Sequence, residues 1–441
     1  GDTAGDAITT GGQNTGIGSN AASAITTTSD TTAVGYNALT LSTAAGNTAV
    51  GSGSLDANVA GVRNVAVGLD AGGAQAGAND NDNVFIGHNA GLLANGSASG
   101  SNTAVGSLAL DAAVTSIDAT AIGKGALSAA TADGNTAVGA RALDVSVAAV
   151  RNVAVGVDAG GALAGANDND NVFIGHNAGL LANGSASGSN TAVGSLALDA
   201  AVTSIDCTAI GKGALTGNTA DANTAVGARS LDVNVAGVRN TAVGVDAGGA
   251  QAGANDNDNT WVGFNAGLLA NASASGGNTG VGSKALDALT TAVNNTAVGL
   301  DALGAVTTGA GNTATGTAAG DAITTGTDNV AVGFGAMGGE TTGANNTAVG
   351  KDALLVQAGA TGNTAVGTTA GNAITTGSNN TLVGLDAGGG LTTGASNVAI
   401  GKDALLASTV GANNVAVGFG SLSAVTDATG NVGIGKDAGN A

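Results

Sequence analysis

Residues 295–299 read Asn-Thr-Ala-Val-Gly, and a close copy of this pentapeptide recurs from one end of the 441-residue sequence to the other. Counted by its closing glycine, here called the anchor glycine, the motif occurs 25 times between Gly18 and Gly435, at spacings of 16, 17 or 19 residues. A short period sustained over a whole chain is typical of a solenoid, in which each repeat is one coil of backbone stacked on the last. The sequence therefore predicts an all-β parallel β-solenoid of about 25 short coils.

The residues before each anchor glycine predict a strand. We number positions from that glycine, so that position −1 precedes it and position +1 follows it. Position −3 is Thr or Val, position −2 is usually Ala, and position −1 is Val or Ile except at Thr315. β-branched residues thus alternate with Ala at a period of two, which is typical of a short strand. After the glycine, Ala at +3 and Leu or Gly at +4 precede turn residues, and this pattern predicts a second strand and a return loop.

Position −4 is Asn in 22 of the 25 coils, the exceptions being Thr31, Ala119 and Cys207. Stacking in register would place like side chains over one another at about 4.8 Å. We therefore predict an amide ladder in which each Asn side chain hydrogen-bonds the next, with these members among others: Asn47, Asn64, Asn83, Asn102, Asn295, Asn312, Asn329 and Asn346.

A longer period is superimposed on the coils. Residues 35–298 form three blocks of 88 residues, each of five coils, and residues 299–441 form regular coils of 17 residues. We expect one continuous repeat domain over residues 1–441. Both ends fall inside a repeat, so we also expect the sequence to be a segment of a longer protein.

Composition limits the function classes. The chain has 79 Gly, no Pro and 2% aromatic residues, which predicts a thin core of small side chains and favours association between copies. A net charge of −20 argues against nucleic acid as a partner, because nucleic-acid binding needs clustered Lys and Arg. The sequence contains no apolar run of membrane-spanning length, so we expect no membrane insertion by this segment. A single cysteine excludes an internal disulfide.

An Asp-Asn-Asp triplet recurs in the three blocks and is the best candidate for a metal site. Carboxylates with neighbouring amide oxygens in a loop suit Ca²⁺, and no other cofactor is expected. A competing hypothesis pairs the second Asp of each triplet with an Arg at the same position of the preceding coil, as Asp82 with Arg63. The candidate calcium ligands are Asp80, Asp82, Asp168, Asp170, Asp256 and Asp258.

Other chemically distinctive residues favour structural roles. His88 and His176 share a position that is Phe264 in the third block, so a surface or packing role is favoured over catalysis. Cys207 replaces the recurrent Asn and is interpreted as a tolerated substitution. The sequence has no Ser/His/Asp set, so we do not expect an enzyme. Large rings at position −2 predict core plugs, or alternatively exposed docking rings, at Phe85, Phe173 and Trp261.

The repeats resemble the head repeats of trimeric autotransporter adhesins, the YadA-like family. The family pattern Asn-Ser-Val-Ala-Ile-Gly is matched by residues 413–418 and 328–333, although the coils here are longer than in that family. Residues 31–36 are also similar to arrays in bacteriophage tail-fibre shafts. The resemblance implies a left-handed β-roll, a homotrimer, and a role in attachment.

We therefore expect an adhesive or structural shaft or head of an extracellular fibre, at the cell surface, that binds a host, cell-surface or matrix ligand through multivalent contacts. The alternatives are a bacteriophage tail-fibre shaft on a virion and a filament or sheath subunit. An ice-binding solenoid is suggested by Thr at position −3 but is interrupted by Val, as at Val65. For ligand contacts, the sequence favours the long loops at Asn79–Asp82, Leu92–Leu93 and Leu180–Leu181.

Overall fold

The structure is a computed structural model, and it describes residues 2–75, 77, 80–93, 100–112, 115–129, 131–163, 165, 168–181, 188–200, 203–250, 253, 256–270 and 275–440. The chain divides into two compact units, Gly1–Ala222 and Asn223–Ala441. The described residues contain 25 strands of three residues each and no helix.

The first unit contains strands β1 to β12, each ending one residue before an anchor glycine. Their bounds are Thr15–Ile17, Thr32–Val34, Thr48–Val50, Val65–Val67, Val84–Ile86, Thr103–Val105, Thr120–Ile122, Thr136–Val138, Val153–Val155, Val172–Ile174, Thr191–Val193 and Thr208–Ile210.

The second unit contains strands β13 to β25 in the same relation to their anchor glycines. Their bounds are Thr224–Val226, Thr241–Val243, Thr260–Val262, Thr279–Val281, Thr296–Val298, Thr313–Thr315, Val330–Val332, Thr347–Val349, Thr364–Val366, Thr381–Val383, Val398–Ile400, Val415–Val417 and Val432–Ile434.

Consecutive strands within each unit pair in parallel and in register. In the first unit Thr32 pairs with Thr48 and Val34 with Val50. In the second unit Val349 pairs with Val366 in the same way. Each strand is the same stretch of its coil, so parallel pairing places position −1 over position −1 along the stack. The predicted all-β parallel β-solenoid is confirmed, and so is the predicted strand immediately before each anchor glycine.

The interior of each coil begins at the middle residue of the strand. Ala33 and Ala297 at position −2 are fully buried, whereas Val298 at position −1 is 38% exposed. The larger β-branched residues therefore face outward and the small Ala faces inward, because a coil of this length encloses little space. Ala38 and Leu39 at positions +3 and +4 complete the interior from the opposite side of the coil.

The predicted second strand is wrong. The segment after the anchor glycine is a turn, in which Asn37 and Leu39 have φ angles of 56° and 52°. In a strand, neighbouring residues point to opposite faces, yet Ala38 and Leu39 are both fully buried. A left-handed conformation at Leu39 turns both side chains inward. Hydrogen bonding between coils continues through this turn, since the Leu39 N–H donates to the Ser54 carbonyl at 3.0 Å.

The large rings at position −2 are core plugs, as one of the two interpretations predicts. Phe85, Phe173 and Trp261 are fully buried. Gly72 and Gly91 flank the Phe85 ring at position +4, where many other coils carry Leu. The glycines leave the space that the ring fills, so the interior volume is kept nearly constant.

Candidate functional site

The asparagines at position −4 form a hydrogen-bonded column in each unit, which in the first unit is interrupted where Thr31, Ala119 and Cys207 replace Asn. In the first unit the Asn47 Oδ1 accepts the backbone N–H of Asn64 at 2.8 Å, and the Asn64 Oδ1 accepts that of Asn83 at 2.9 Å. The Asn47 Nδ2 donates to the carbonyl of Gly61 at 2.8 Å. Each of these side chains therefore links its own coil to the next through hydrogen bonds to backbone groups. Asn102 continues the column, because its N–H donates to the Asn83 Oδ1 at 2.9 Å.

The second unit has the same column, and its neighbouring amides also contact one another directly, as Asn171 and Asn152 do in the first unit. The Asn312 Nδ2 donates to the Asn295 Oδ1 at 3.1 Å, and the Asn329 and Asn346 amides repeat this contact at 3.1 Å. Backbone N–H groups also donate to the same oxygens at 2.9–3.1 Å. These buried amides satisfy backbone groups at a tight corner, which is a structural role.

Cys207 lies in this column and is buried without a disulfide. Its N–H donates to the Asn190 Oδ1 at 2.9 Å, and its Sγ lies 3.4 Å from the Asn218 Nδ2. The thiol thus keeps the link to the preceding coil. Unlike Asn, it offers no amide oxygen to the following coil.

The Asp-Asn-Asp triplets cap turns and form ion pairs. The first Asp of each is buried, and its Oδ2 accepts a backbone N–H, from Gly77 at 2.6 Å in the case of Asp80. The Asn81 Oδ1 accepts the Val62 N–H at 2.8 Å. The other two triplets repeat these contacts through Asp168, Asn169, Asp256 and Asn257.

The second Asp of each triplet forms the predicted ion pair with the Arg of the preceding coil. The Arg63 Nε and Nη2 lie 2.6 and 2.7 Å from the two Asp82 carboxylate oxygens. The Asp82 side chain is 48% exposed, and its hydrogen bond from Arg63 lowers its pKa. Equivalent pairs, with the same pKa direction, join Arg151 to Asp170 and Arg239 to Asp258.

Each of the six candidate calcium ligands therefore accepts a hydrogen bond from a protein N–H group. Among the described residues, no group of three or more His, Cys, Asp or Glu side chains is placed to hold a metal ion. Calcium binding by these triplets stays a prediction. Asn79, part of the predicted contact loop, lies outside the described residues.

Two further ion pairs between neighbouring coils were missed in the sequence. The Arg141 Nη2 lies 2.6 Å from the Asp158 Oδ2, and the Arg229 Nε lies 2.7 Å from the Asp246 Oδ1. All four residues occupy position +2 of their coils, so the in-register argument that predicted Arg63 with Asp82 would also have found these pairs.

Carboxylates that recur at position +5 of some coils were missed as well. Burial raises the pKa of Asp144, and the negative charge of Asp158 in the next coil raises it further. Burial and then a neighbouring carboxylate likewise raise the pKa of Asp232 and Asp287. In each case the Asp at position +5 of one coil interacts with the Asp at position +2 of the next coil. Comparing the same position in successive coils does not reveal such a pair.

A pocket in the first unit lies beside two of these carboxylates, Asp111 and Asp144. Its volume is about 310 Å³, and its lining includes Leu108, Asp111, Lys124, Arg141 and Asp144. Burial raises the pKa of Asp111. The lining thus includes both cationic and anionic side chains, and Arg141 is already bound to a carboxylate of the next coil.

The outer face of the strands carries neither acids nor bases. Its two outward positions, −3 and −1, are Thr, Val or Ile in all 25 coils. We call these two columns the strand face. Beside it at position +1, His88 and His176 are exposed and Phe264 is 51% exposed, in line with a surface role. The predicted leucine contacts are partly accessible, with Leu93 44% exposed.

In the part of the chain that the structure describes, no helix is long and apolar enough to cross a membrane. Models of known protein families give no match to the sequence, and a search of curated proteins finds no match either.

Proposed function

We propose that this chain is a structural and adhesive segment of an extracellular fibre, associated as a homotrimer, that attaches to a host, cell-surface or matrix ligand through many weak contacts. The observation that carries the proposal is the in-register stacking of like coils. Such stacking presents the same outward side chain again and again at a spacing of about 4.8 Å. A ligand site that is weak in one coil therefore gains strength by repetition.

The internal organisation of the coils supports a structural role over a chemical one. The buried polar side chains of the Asn column are hydrogen-bonded to backbone groups, and the Asp82 carboxylate is paired with Arg63. These interactions hold the coils in register. The long loops with Leu93 and Leu181, both close to half exposed, are the proposed contact points for the ligand.

The 88-residue block allows a clean test. Deleting residues 123–210 joins Ile122 to Gly211, which recreates the Ile-Gly junction of an ordinary coil. The deletion removes five coils, including the loop with Leu181, and leaves the register of the remaining coils unchanged. We expect beads coated with the shortened protein to detach from a target cell layer at clearly lower shear than beads coated equally with the full chain.

Two controls make the result interpretable. The shortened protein must keep the far-UV circular dichroism of a β-protein, and a variant with Leu93→Ser and Leu181→Ser tests the loops without changing length. Equal detachment shear for the full and shortened proteins would contradict multivalent attachment. If the serine variant, which keeps its full length, also detaches at lower shear, the ligand contacts lie on the loops.

A further inference from the structure

The pocket in the first unit is a notch that one coil leaves between its two neighbours. Gly125 and Ser128, at positions +2 and +5 of this coil, are small, whereas the flanking coils carry larger side chains at the same positions. At position +5 the notch lies between Asp111 and Asp144, whose coils are two steps apart, or about 10 Å along the stack. The cavity of about 310 Å³ therefore results from small side chains on one coil between larger ones on the next.

An ion pair keeps this notch open. At Gly53, which also stands at position +2, the carboxylate of Asp70 in the next coil occupies the place that a Cβ would take. The same arrangement recurs in the pairs Gly335 with Asp352 and Gly420 with Asp437. At Gly125 the nearest atom of another coil is the Arg141 Cγ, 3.9 Å from that place, because the Arg141 guanidinium reaches forward to Asp158. The space over Gly125 is thus left unfilled by the residue that would otherwise cover it.

The lining of the notch presents one anion and one cation without a protein counter-ion. Asp111 is half-buried and Lys124 is exposed, and neither forms an ion pair with a residue in the described part of the chain. The charge of Arg141, by contrast, is already matched by Asp158. An occupant that carries the opposite charges would therefore pair with Asp111 and Lys124.

The presence of both signs selects the chemical class of the occupant. An anion would be repelled by the carboxylates of Asp111 and Asp144, and a cation would be repelled by Lys124. A neutral molecule would form weaker hydrogen bonds with these charged groups than an ionised one does. A zwitterion supplies an ammonium and a carboxylate without adding net charge, so it meets both requirements.

The size and the wall of the notch restrict the class further. A volume of about 310 Å³ lies at the lower end of the range for small-molecule sites, so the occupant is small. Leu108, at position +2 of the preceding coil, is half-buried and gives the notch an apolar wall. A free α-amino acid with an aliphatic side chain has the charges, the size and the apolar group that this lining matches.

We propose that this notch binds a free aliphatic α-amino acid, with its ammonium at Asp111, its carboxylate at Lys124 and its side chain against Leu108. The inference goes beyond the proposed attachment function and does not rest on it, because the loops with Leu93 and Leu181 take no part in the notch.

The first test uses the unmodified full chain in equilibrium dialysis against radiolabelled L-leucine. We expect saturable binding. Two competitors each lack one charge: N-acetyl-L-leucine has no ammonium and L-leucinamide has no carboxylate. Each should bind more weakly than leucine by about tenfold or more, because each loses a charge-assisted hydrogen bond. Glucose, a neutral polyol, should not compete. Absence of saturable leucine binding, competition by either analogue as strong as by leucine, or competition by glucose would overturn the inference.

A charge variant places the binding on the notch. The sequence repeats Asp111 as Asp199, so the variant carries Asp111→Asn and Asp199→Asn together. It should bind leucine more weakly by about tenfold or more, since the ammonium loses its counter-ion. The matched control carries Asp118→Asn and Asp206→Asn, the same charge change at exposed positions, and should bind leucine as the parent does. An equal loss of binding in the control would contradict the assignment to this notch.

A second variant fills the notch without changing any charge. Gly125→Asn, made together with Gly213→Asn in the repeated segment, is compatible with the backbone, because Asn89 has a φ of 56° at the same position +2. We expect this variant to keep the circular dichroism spectrum of the parent and to lose saturable leucine binding. Unchanged binding in the filled notch would overturn the inference.

Discussion

The ring of Phe85 occupies the space that Gly91 leaves open: a Cβ on Gly91 would lie 2.2 Å from the ring Cε1. Gly91 also has a φ of +61°, which an L-residue adopts at a cost. The same relation joins Phe173 to Gly179. Bulk at position −2 and glycine at position +4 are therefore parts of one packing solution.

This relation predicts strong coupling between the two positions. Phe85→Ala should lower the free energy of unfolding by about 3–5 kcal/mol through the cavity it leaves. Gly91→Leu should also destabilise, because its side chain meets the ring. The double variant restores the common Ala and Leu pattern of other coils, so we expect it to be more stable than either single variant, by urea unfolding. Additive losses would show that the two sites are independent.

The Asn column makes a second prediction. Asn312→Ala removes the acceptor of the Asn329 N–H and the donor to the Gly326 carbonyl, both in the buried corner. Leaving these groups unsatisfied should cost about 2–5 kcal/mol of unfolding free energy. Asn372→Ala, a half-buried residue outside the column, is the control and should cost less than about 1 kcal/mol. Similar losses in both variants would argue against a special role for the column.

The raised pKa of Asp144 predicts a pH-dependent effect. Because its pKa is higher in the folded chain than the ordinary value of 3.8, the folded state favours the proton, and stability falls as the pH rises through the folded pKa. Asp144→Asn should therefore raise the melting temperature at pH 7. The gain should vanish near pH 3, where the Asp144 carboxyl is protonated and as uncharged as the Asn that replaces it. Asp118→Asn removes a charge from an exposed position and should give a smaller gain. An equal gain in melting temperature at pH 7 and pH 3 would show that the charge of Asp144 is not the cause.

The two kinds of arginine pair should differ in importance. Arg141 holds Asp158, which also faces the carboxylate of Asp144, whereas Arg63 holds the more exposed Asp82. Arg141→Gln leaves two like charges facing each other across neighbouring coils. We expect it to lower the melting temperature more than Arg63→Gln does, and the difference to shrink at 1 M NaCl as salt screens the repulsion. Equal shifts at low salt would contradict this ranking.

The sequence predicted the strands well because their signal is direct. The alternation in residues 295–299 gives the strand, and the constant spacing gives the register. The second segment was misjudged because hydrophobicity does not report the sign of φ, and a positive φ, which Leu39 has here, is rare for leucine. One signal was present: position +4 is shared by Leu and Gly, which suggests a left-handed backbone. The carboxylate pairs could not be predicted, because the distance between position +5 of one coil and position +2 of the next depends on the three-dimensional course of the backbone.

The hydrogen bonds between coils also bear on how such a chain could grow in evolution. The N–H of Thr48 donates forward to Asn64 and that of Gly51 donates backward to Val34, so each coil offers its neighbours the same docking pattern at both ends. A gene duplication of whole coils therefore inserts material that is already compatible with its new surroundings. The near-identical 88-residue blocks are the expected trace of such events, and length becomes a property that recombination can adjust without redesigning any side chain.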